Sequence, residues 1–259
     1  MKSEKTAIDK IKSMKGKEKI AMLTAYDYFT AKMVDEAGID LILVGDSLGM
    51  VVLGYENTLN VTMDDMLRHT GAVARGAKKA LIVSDMPANS YNDNETALKN
   101  AKLFLEAGAD NVKIENKPEI AKFLVENKID VMGHIGLTPQ TVTDFKVQGK
   151  TEEAADKLIT LAKQLEESGC YSIVLECVPM QLAKKITKTI SIPTIGIGAG
   201  PYCDGQVLVS NDILGLYDKL SPKFVKRYAE FGKEMKTAFG NYIKDVKENS
   251  FPKDEHSFH

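Results

Sequence analysis

Eight short, almost unbroken apolar runs punctuate the chain: IAMLTAY (20–26), LILVGDS (41–47), ALIVSDMP (80–87), NVKIEN (111–116), DVMGHIG (130–136), SIVLEC (172–177), TIGIGAG (194–200) and QVLVSND (206–212). They lack the polar alternation of a strand with one wet face, so they predict parallel strands buried on both sides. Between most of them the apolar positions take a helical period. Ala97, Leu98, Ala101 and Leu105 make one apolar face, and Leu158, Leu161 and Leu165 another. Thr62 and Asn94 read as N-caps, Pro118 suits a first helical turn, and Gly38 and Gly169 read as helix stops. From Pro222 to about Glu248 the pattern predicts a long charged helix, with Phe224, Tyr228, Phe231 and Met235 free to pack on a domain or a partner.

Eight strands alternating with helices over 259 residues predict an α/β fold, the (β/α)8 or TIM barrel. An open doubly wound sheet is the competitor. On the barrel reading residues 1–259 form a single domain. About 1–19 is an N-terminal helix and about 241–259 a C-terminal extension.

In such a barrel catalytic groups sit at the C-terminal ends of the strands. Ionisable residues fall there in five successive runs. Asp46 and Ser47 end the second, Asp85 the third, Lys113 and Glu115 lie late in the fourth, His134 in the fifth, and Glu176 ends the sixth. Lys113 and Glu115 are two apart and share a face. One terminal Asp is ordinarily a helix cap, and one His ordinarily a packing residue. Five coincidences at one rim instead read as an active site, because buried charges need partners or a metal. Asp46, Asp85 and Glu115 offer hard oxygen ligands without a Cys or His cluster, which suits Mg²⁺ better than Zn²⁺. Such a site suits a 2-oxo acid, with a further carboxylate as base and a lysine to neutralise substrate charge. The run GIGAG (196–200) fails the register of a dinucleotide fingerprint and reads as a tight rim turn, with a barrel phosphate site as the weaker alternative.

Composition narrows the setting. With 34 Lys and Arg against 36 Asp and Glu, the net charge is −2, which argues against a nucleic-acid or membrane-surface binder. No apolar run approaches the roughly 18 residues of a membrane span. The charged N-terminus has no secretory apolar core. Three cysteines, Cys170, Cys177 and Cys203, leave one over from any disulfide, so a cytoplasmic location is expected.

Beyond these readings, VGDSLGM (44–50), VTMDDMLRHTGAVARG (61–76), SDMP (84–87), GADNVKIE (108–115), GHIGLTPQ (133–140), KVQGK (146–150), LECVP (175–179) and IGIGAGPYCDGQVLV (195–209) closely resemble the 3-methyl-2-oxobutanoate (ketopantoate) hydroxymethyltransferase family. SPKFVKRYAEF (221–231) and FPKDEHSF (251–258) extend the likeness over nearly the whole chain. The resemblance implies a barrel of the phosphoenolpyruvate/pyruvate superfamily and a cytoplasmic homodecamer. It implies one-carbon transfer from 5,10-methylenetetrahydrofolate to 3-methyl-2-oxobutanoate with Mg²⁺, giving 2-dehydropantoate and tetrahydrofolate on the way to pantothenate and coenzyme A. It further implies Asp46 and Asp85 as direct metal ligands and Glu115 as a third metal carboxylate. Asp46, Ser47, Asp85 and Lys113 would hold the oxo acid, Glu176 would accept the proton, and His134 would lie near the incoming hydroxymethyl group.

The chain departs from the family pattern in three loops. Ala88 replaces an aromatic residue in PANSY (87–91), Asn116 and Lys117 replace glycines, and TVTDFKVQGK (141–150) is short and lacks a Gly-Gly-Tyr segment. Two other readings compete. A related carbon–carbon lyase of the isocitrate lyase or phosphoenolpyruvate mutase type would carry a Cys-Gly-His loop motif, and none occurs. A non-catalytic oxo-acid-binding barrel would have lost an acid, yet Asp46, Asp85, Glu115 and Glu176 are all present.

Overall fold

The computed structural model describes residues 7–141, 146–219 and 222–259. In chain order the elements are α1 (Ala7–Met14), β1 (Ile20–Thr24), α2 (Tyr28–Glu36), β2 (Leu41–Val44), α3 (Leu48–Val51), α4 (Met63–Gly76), β3 (Leu81–Asp85), α5 (Asn94–Glu106), β4 (Asn111–Glu115), α6 (Pro118–Glu126), β5 (Val131–Gly136), α7 (Glu152–Glu167), β6 (Ser172–Glu176), α8 (Met180–Thr189), β7 (Thr194–Ile197), β8 (Gly205–Leu208), α9 (Ser210–Ile213) and α10 (Phe231–Lys247). The eight strands close in sequence order, each parallel to the next, with β8 returning to β1. The barrel therefore replaces the open-sheet alternative. Among the described residues no helix is long and apolar enough to cross a membrane.

Period-two alternation divides the strand residues between two cores. Val112 and Ile114 of β4 face outward into the layer shared with the helices, which includes Ala101 and Phe104 of α5. Leu41, Val83, Met132 and Ile195 fill the lower barrel interior, where Ile8, Ile11 and Met14 of α1 join the same cluster. Among the described residues α1 ends at Met14 rather than continuing to residue 19, since Lys17 N closes a turn on Met14 O and Gly16 is left-handed (φ 67°).

Local signals account for most boundaries. Thr62 caps α4 in a reciprocal box with Asp65. Pro118 opens α6, and Gly38 and Gly169 follow α2 and α7 with φ of 87° and 90°. The cap of α5 is Asp93 rather than Asn94: its Oδ1 accepts from Thr96 N, and its Oδ2 from the Thr96 hydroxyl. Asp93 thereby satisfies an orphan amide that Asn94, already helical, does not reach.

The chain divides into two compact units, Met1–Val209 and Ser210–His259. In the second, the expected helix from Pro222 begins only at Phe231. The preceding backbone is used elsewhere: Tyr228 N donates to Ile213 O at 2.7 Å and Phe231 N to Leu214 O at 2.9 Å. These bonds replace the helical ones that the apolar spacing of Phe224 and Tyr228 suggests.

Candidate active site

The ionisable strand ends predicted from sequence converge inside the C-terminal mouth of the barrel, and strand register explains how. Asp85 of β3 pairs with Lys113 of β4. Two residues on, Glu115 pairs with His134 of β5, and two residues further Gly136 pairs with Glu176 of β6. Each step of two keeps the side chains on the inner face, while the stagger of a closed barrel carries them diagonally around the wall. The result is a continuous line of charge. Lys113 Nζ lies 3.0 Å from Asp85 Oδ1 and 3.3 Å from His134 Nδ1, which in turn is 3.1 Å from Glu115 Oε1. His134 Nε2 lies 3.2 Å from Glu176 Oε2. Asp46, in the turn after β2, joins the line by donating its backbone N–H to Asp85 Oδ2 at 3.1 Å. Ser47 follows, its Oγ 2.8 Å from the Tyr26 hydroxyl.

All of these except Ser47 and Glu176 are buried; the Glu176 side chain keeps 19 % exposure at the edge of the mouth. The placement of Glu176 depends on Gly136. Gly136 has φ 103°, and a Cβ there would lie 2.2 Å from the Glu176 carbonyl oxygen, which accepts from Leu137 N at 2.9 Å. Only glycine lets β5 turn this close beneath the end of β6. Cys177, next to Glu176, is itself left-handed (φ 48°), so the chain bends sharply beyond the carboxylate.

Four carboxylates share this mouth with one ammonium and one imidazole, and the titration directions register the imbalance. Burial, then the charges of Asp85 and Glu115, push the Asp46 carboxyl up to about 8. Burial also raises Asp85, with Lys113 opposing it. Burial lowers the pKa of Lys113, but Asp85, Glu115 and Asp46 outweigh it and hold the ammonium firmly charged. Burial and Lys113 work against the His134 imidazolium, yet Glu115 and Glu176 hold it up at about 9. Burial of Glu115 is more than offset by His134 and Lys113, which lower it.

A hard divalent cation fits this donor set. Among the described residues no three His, Cys, Asp or Glu side chains are already gathered as a cage. Mg²⁺ does not require one, because it is held by one or two carboxylates and completes its shell with water and substrate. Asp46 and Asp85, adjacent and both raised chiefly by burial, supply such a pair, with Glu115 behind them.

Two residues here carry no charge and escaped the sequence reading. Gln140 donates through Nε2 to Asp46 Oδ2 at 2.8 Å and to Met86 O at 2.9 Å, and through its backbone N to Glu115 Oε2 at 3.3 Å. Tyr91 donates its hydroxyl proton to Gln140 Oε1 and accepts from Glu115 N. Both stood inside quoted motifs, at the ends of GHIGLTPQ and PANSY. The GIGAG run proves to be the end of β7 and a turn through Gly198 (φ 62°) and Gly200 (φ 78°). Of the shortened loop 141–150, residues 142–145 lie outside the described residues.

Residues 5–254 match the family model described as ketopantoate hydroxymethyltransferase. The chain belongs to the ketopantoate hydroxymethyltransferase family. Relatives named 3-methyl-2-oxobutanoate hydroxymethyltransferase bear this out. The one from Clostridium novyi (strain NT) is 54% identical over 266 residues, covering 100% of this chain and 96% of its own. The one from Enterococcus faecalis (strain ATCC 700802 / V583) is 54% identical over 261 residues, covering 98% and 95%. Solved structures similar to the barrel include a phosphonopyruvate hydrolase in complex with oxalate and Mg²⁺, at TM-score 0.61 and 10% identity over 98% of this chain and 92% of that one. A 2,3-dimethylmalate lyase of the PEP mutase/isocitrate lyase superfamily matches at TM-score 0.62 and 12% identity over 95% and 86%. At such identities the likeness is one of fold.

Proposed function

We propose that this protein transfers a hydroxymethyl group from 5,10-methylenetetrahydrofolate to 3-methyl-2-oxobutanoate, giving 2-dehydropantoate and tetrahydrofolate in pantothenate and coenzyme A biosynthesis. The observation that carries the proposal is the line of ionisable groups from Asp46 to Glu176 at the mouth of a barrel of this family. Asp46 and Asp85 would hold Mg²⁺ directly, with Glu115 as a further carboxylate. Bound there, the ion supplies Lewis-acid polarisation of the oxo acid, which makes the proton on C3 easier to remove.

The chain's own residues supply the remaining work. Lys113 is buried and cationic, so it offsets the anionic carboxylate and the charge that develops on the enolate oxygen. The Ser47 hydroxyl, held by Tyr26, is a further contact for the oxo acid. Glu176 is the base: it is the carboxylate left most open to the mouth, and it accepts the C3 proton from the substrate. His134 sits at its back, held by Glu115 on the other nitrogen, and fixes the orientation of the Glu176 carboxylate. The enolate carbon would bond to the methylene carbon of the folate as one of its two carbon–nitrogen bonds breaks, that nitrogen taking a proton equivalent to the one Glu176 received. Water would replace the second nitrogen, its oxygen becoming the hydroxyl and its proton going to that nitrogen, which frees tetrahydrofolate.

The competing readings lose ground. Likeness to lyases is one of fold, and a mere binding barrel has no need of an open carboxylate beside a buried imidazole. We also read the protein as a cytoplasmic homodecamer, with residues 1–259 as one barrel domain and a C-terminal extension. Exposed Phe239, Tyr242 and Ile243 on α10 suit packing against another chain. The test is incubation of the protein with 3-methyl-2-oxobutanoate, Mg²⁺ and methylenetetrahydrofolate, with mass detection of 2-dehydropantoate. No product under conditions where the protein is folded and the oxo acid binds overturns the proposal.

A further inference from the structure

We infer that Gln140 is a positioning residue that sets the spacing of the Asp46 and Glu115 carboxylates and decides which Asp46 oxygen is left to receive the cation. This rests on the metal reading above. Gln140 is 9 % exposed and Tyr91 7 %, so neither is supported by solvent. Together they join the ends of β2, β3 and β4 to the segment after β5. The carboxamide orientation follows from its partners. Met86 O can only accept, so Nε2 must face it at 2.9 Å, and the second Nε2 proton goes to Asp46 Oδ2 at 2.8 Å. Oε1 then faces Tyr91, whose single hydroxyl proton is spent on it and whose lone pair takes the Glu115 N–H at 3.3 Å.

Every donor and acceptor of the two side chains is thereby used in one arrangement only. Among the described residues nothing else hydrogen-bonds the Asp46 carboxylate, so Oδ1 is the oxygen that remains. The Gln140 backbone N–H reaches Glu115 Oε2 at 3.3 Å, while Oε1 faces His134. A single residue thus holds one oxygen of each carboxylate. Groups that orient metal-binding carboxylates in this way affect affinity as well as rate.

The experiment uses the full chain and Mg²⁺ alone, titrated calorimetrically, with circular dichroism and thermal midpoints as controls. Gln140→Met fills the same space without donors, and Tyr91→Phe removes one hydroxyl. Gln140→Met should weaken Mg²⁺ about tenfold or more, and Tyr91→Phe in the same direction by less. In turnover, kcat should fall with the affinity loss and stay low when Mg²⁺ is raised to saturation. Folded Gln140→Met with wild-type affinity, only a lower midpoint, overturns the inference and leaves the metal reading intact. If Gln140→Met does not fold, Tyr91→Phe decides: unchanged Mg²⁺ affinity overturns the inference. If the unaltered protein makes product yet binds no Mg²⁺, the metal reading itself fails, and the inference with it.

Discussion

The two ends of the barrel each bury charge, and they treat it in opposite ways. At the N-terminal end, Asp204 accepts from Lys15 Nζ at 2.8 Å, Gly16 N at 3.2 Å and Thr194 N at 2.9 Å. Its burial is outweighed by these donors, Lys15 first, and its pKa is lowered. At the C-terminal end, Asp46 has one side-chain donor, Gln140, and is pushed up to about 8 by burial and by other acids. The lower carboxylate is at rest and ties α1 to the barrel. Of the upper carboxylates Asp46 and Asp85 are instead raised by burial, so their charge is left short of partners, which suits a ligand that arrives with positive charge. A charge that is saturated with donors belongs to the fold, and one that is starved of them belongs to the chemistry.

Substitutions at the two ends separate these roles. The largest effect is expected at the top. Glu176→Gln should slow exchange of the C3 proton of the oxo acid into deuterated water about a hundredfold or more, with Mg²⁺ affinity retained. Unchanged exchange by proton NMR would remove Glu176 as the base. The next is at the bottom. Asp204→Asn should lower stability by about 1–3 kcal/mol in denaturant unfolding, with kcat and Mg²⁺ affinity unaltered. A loss of activity in the folded variant would break the division between the ends.

The smallest effect sharpens the comparison through pH. Without divalent cations, Asp46 keeps a proton to about 8 in the folded chain but releases it above 3.8 when unfolded, so stability falls with pH across that window. His134, raised to about 9 from 6.5, contributes fully below 6.5 and loses that contribution as pH rises through 9. The two add between 6.5 and 8, so the thermal midpoint of the metal-free protein should decline there. Mg²⁺ takes the same deprotonated oxygens, so the rise in midpoint that it produces should grow over the same interval. A flat metal-free midpoint would show the upper carboxylates to be better satisfied than their contacts indicate.

The strands were legible because burial on both faces leaves an apolar run that little else in a sequence imitates. Asp46, Asp85, Lys113, Glu115, His134 and Glu176 were legible because charges at the ends of such runs are conspicuous. Gln140 and Tyr91 were not, since an uncharged amide and a phenol look like ordinary loop residues. Their partners lie 94 and 49 residues away, across strands that meet only when the barrel closes. The start of α10 failed for the converse reason: the spacing of Phe224 and Tyr228 fits a helix, but Ile213 O and Leu214 O claim the amides of Tyr228 and Phe231. The Asp93 cap was displaced by a single residue because both neighbours are cap formers, and only the reach to Thr96 separates them.

Gly136 has a consequence for anyone who reshapes this enzyme toward other oxo acids. It offers no side chain to a substrate, yet the Glu176 carbonyl occupies the space in which a Cβ would stand. A saturation library should therefore find position 136 as intolerant as position 176, and new specificity is better sought at Ser47, whose hydroxyl meets the side chain of Tyr26 rather than main chain.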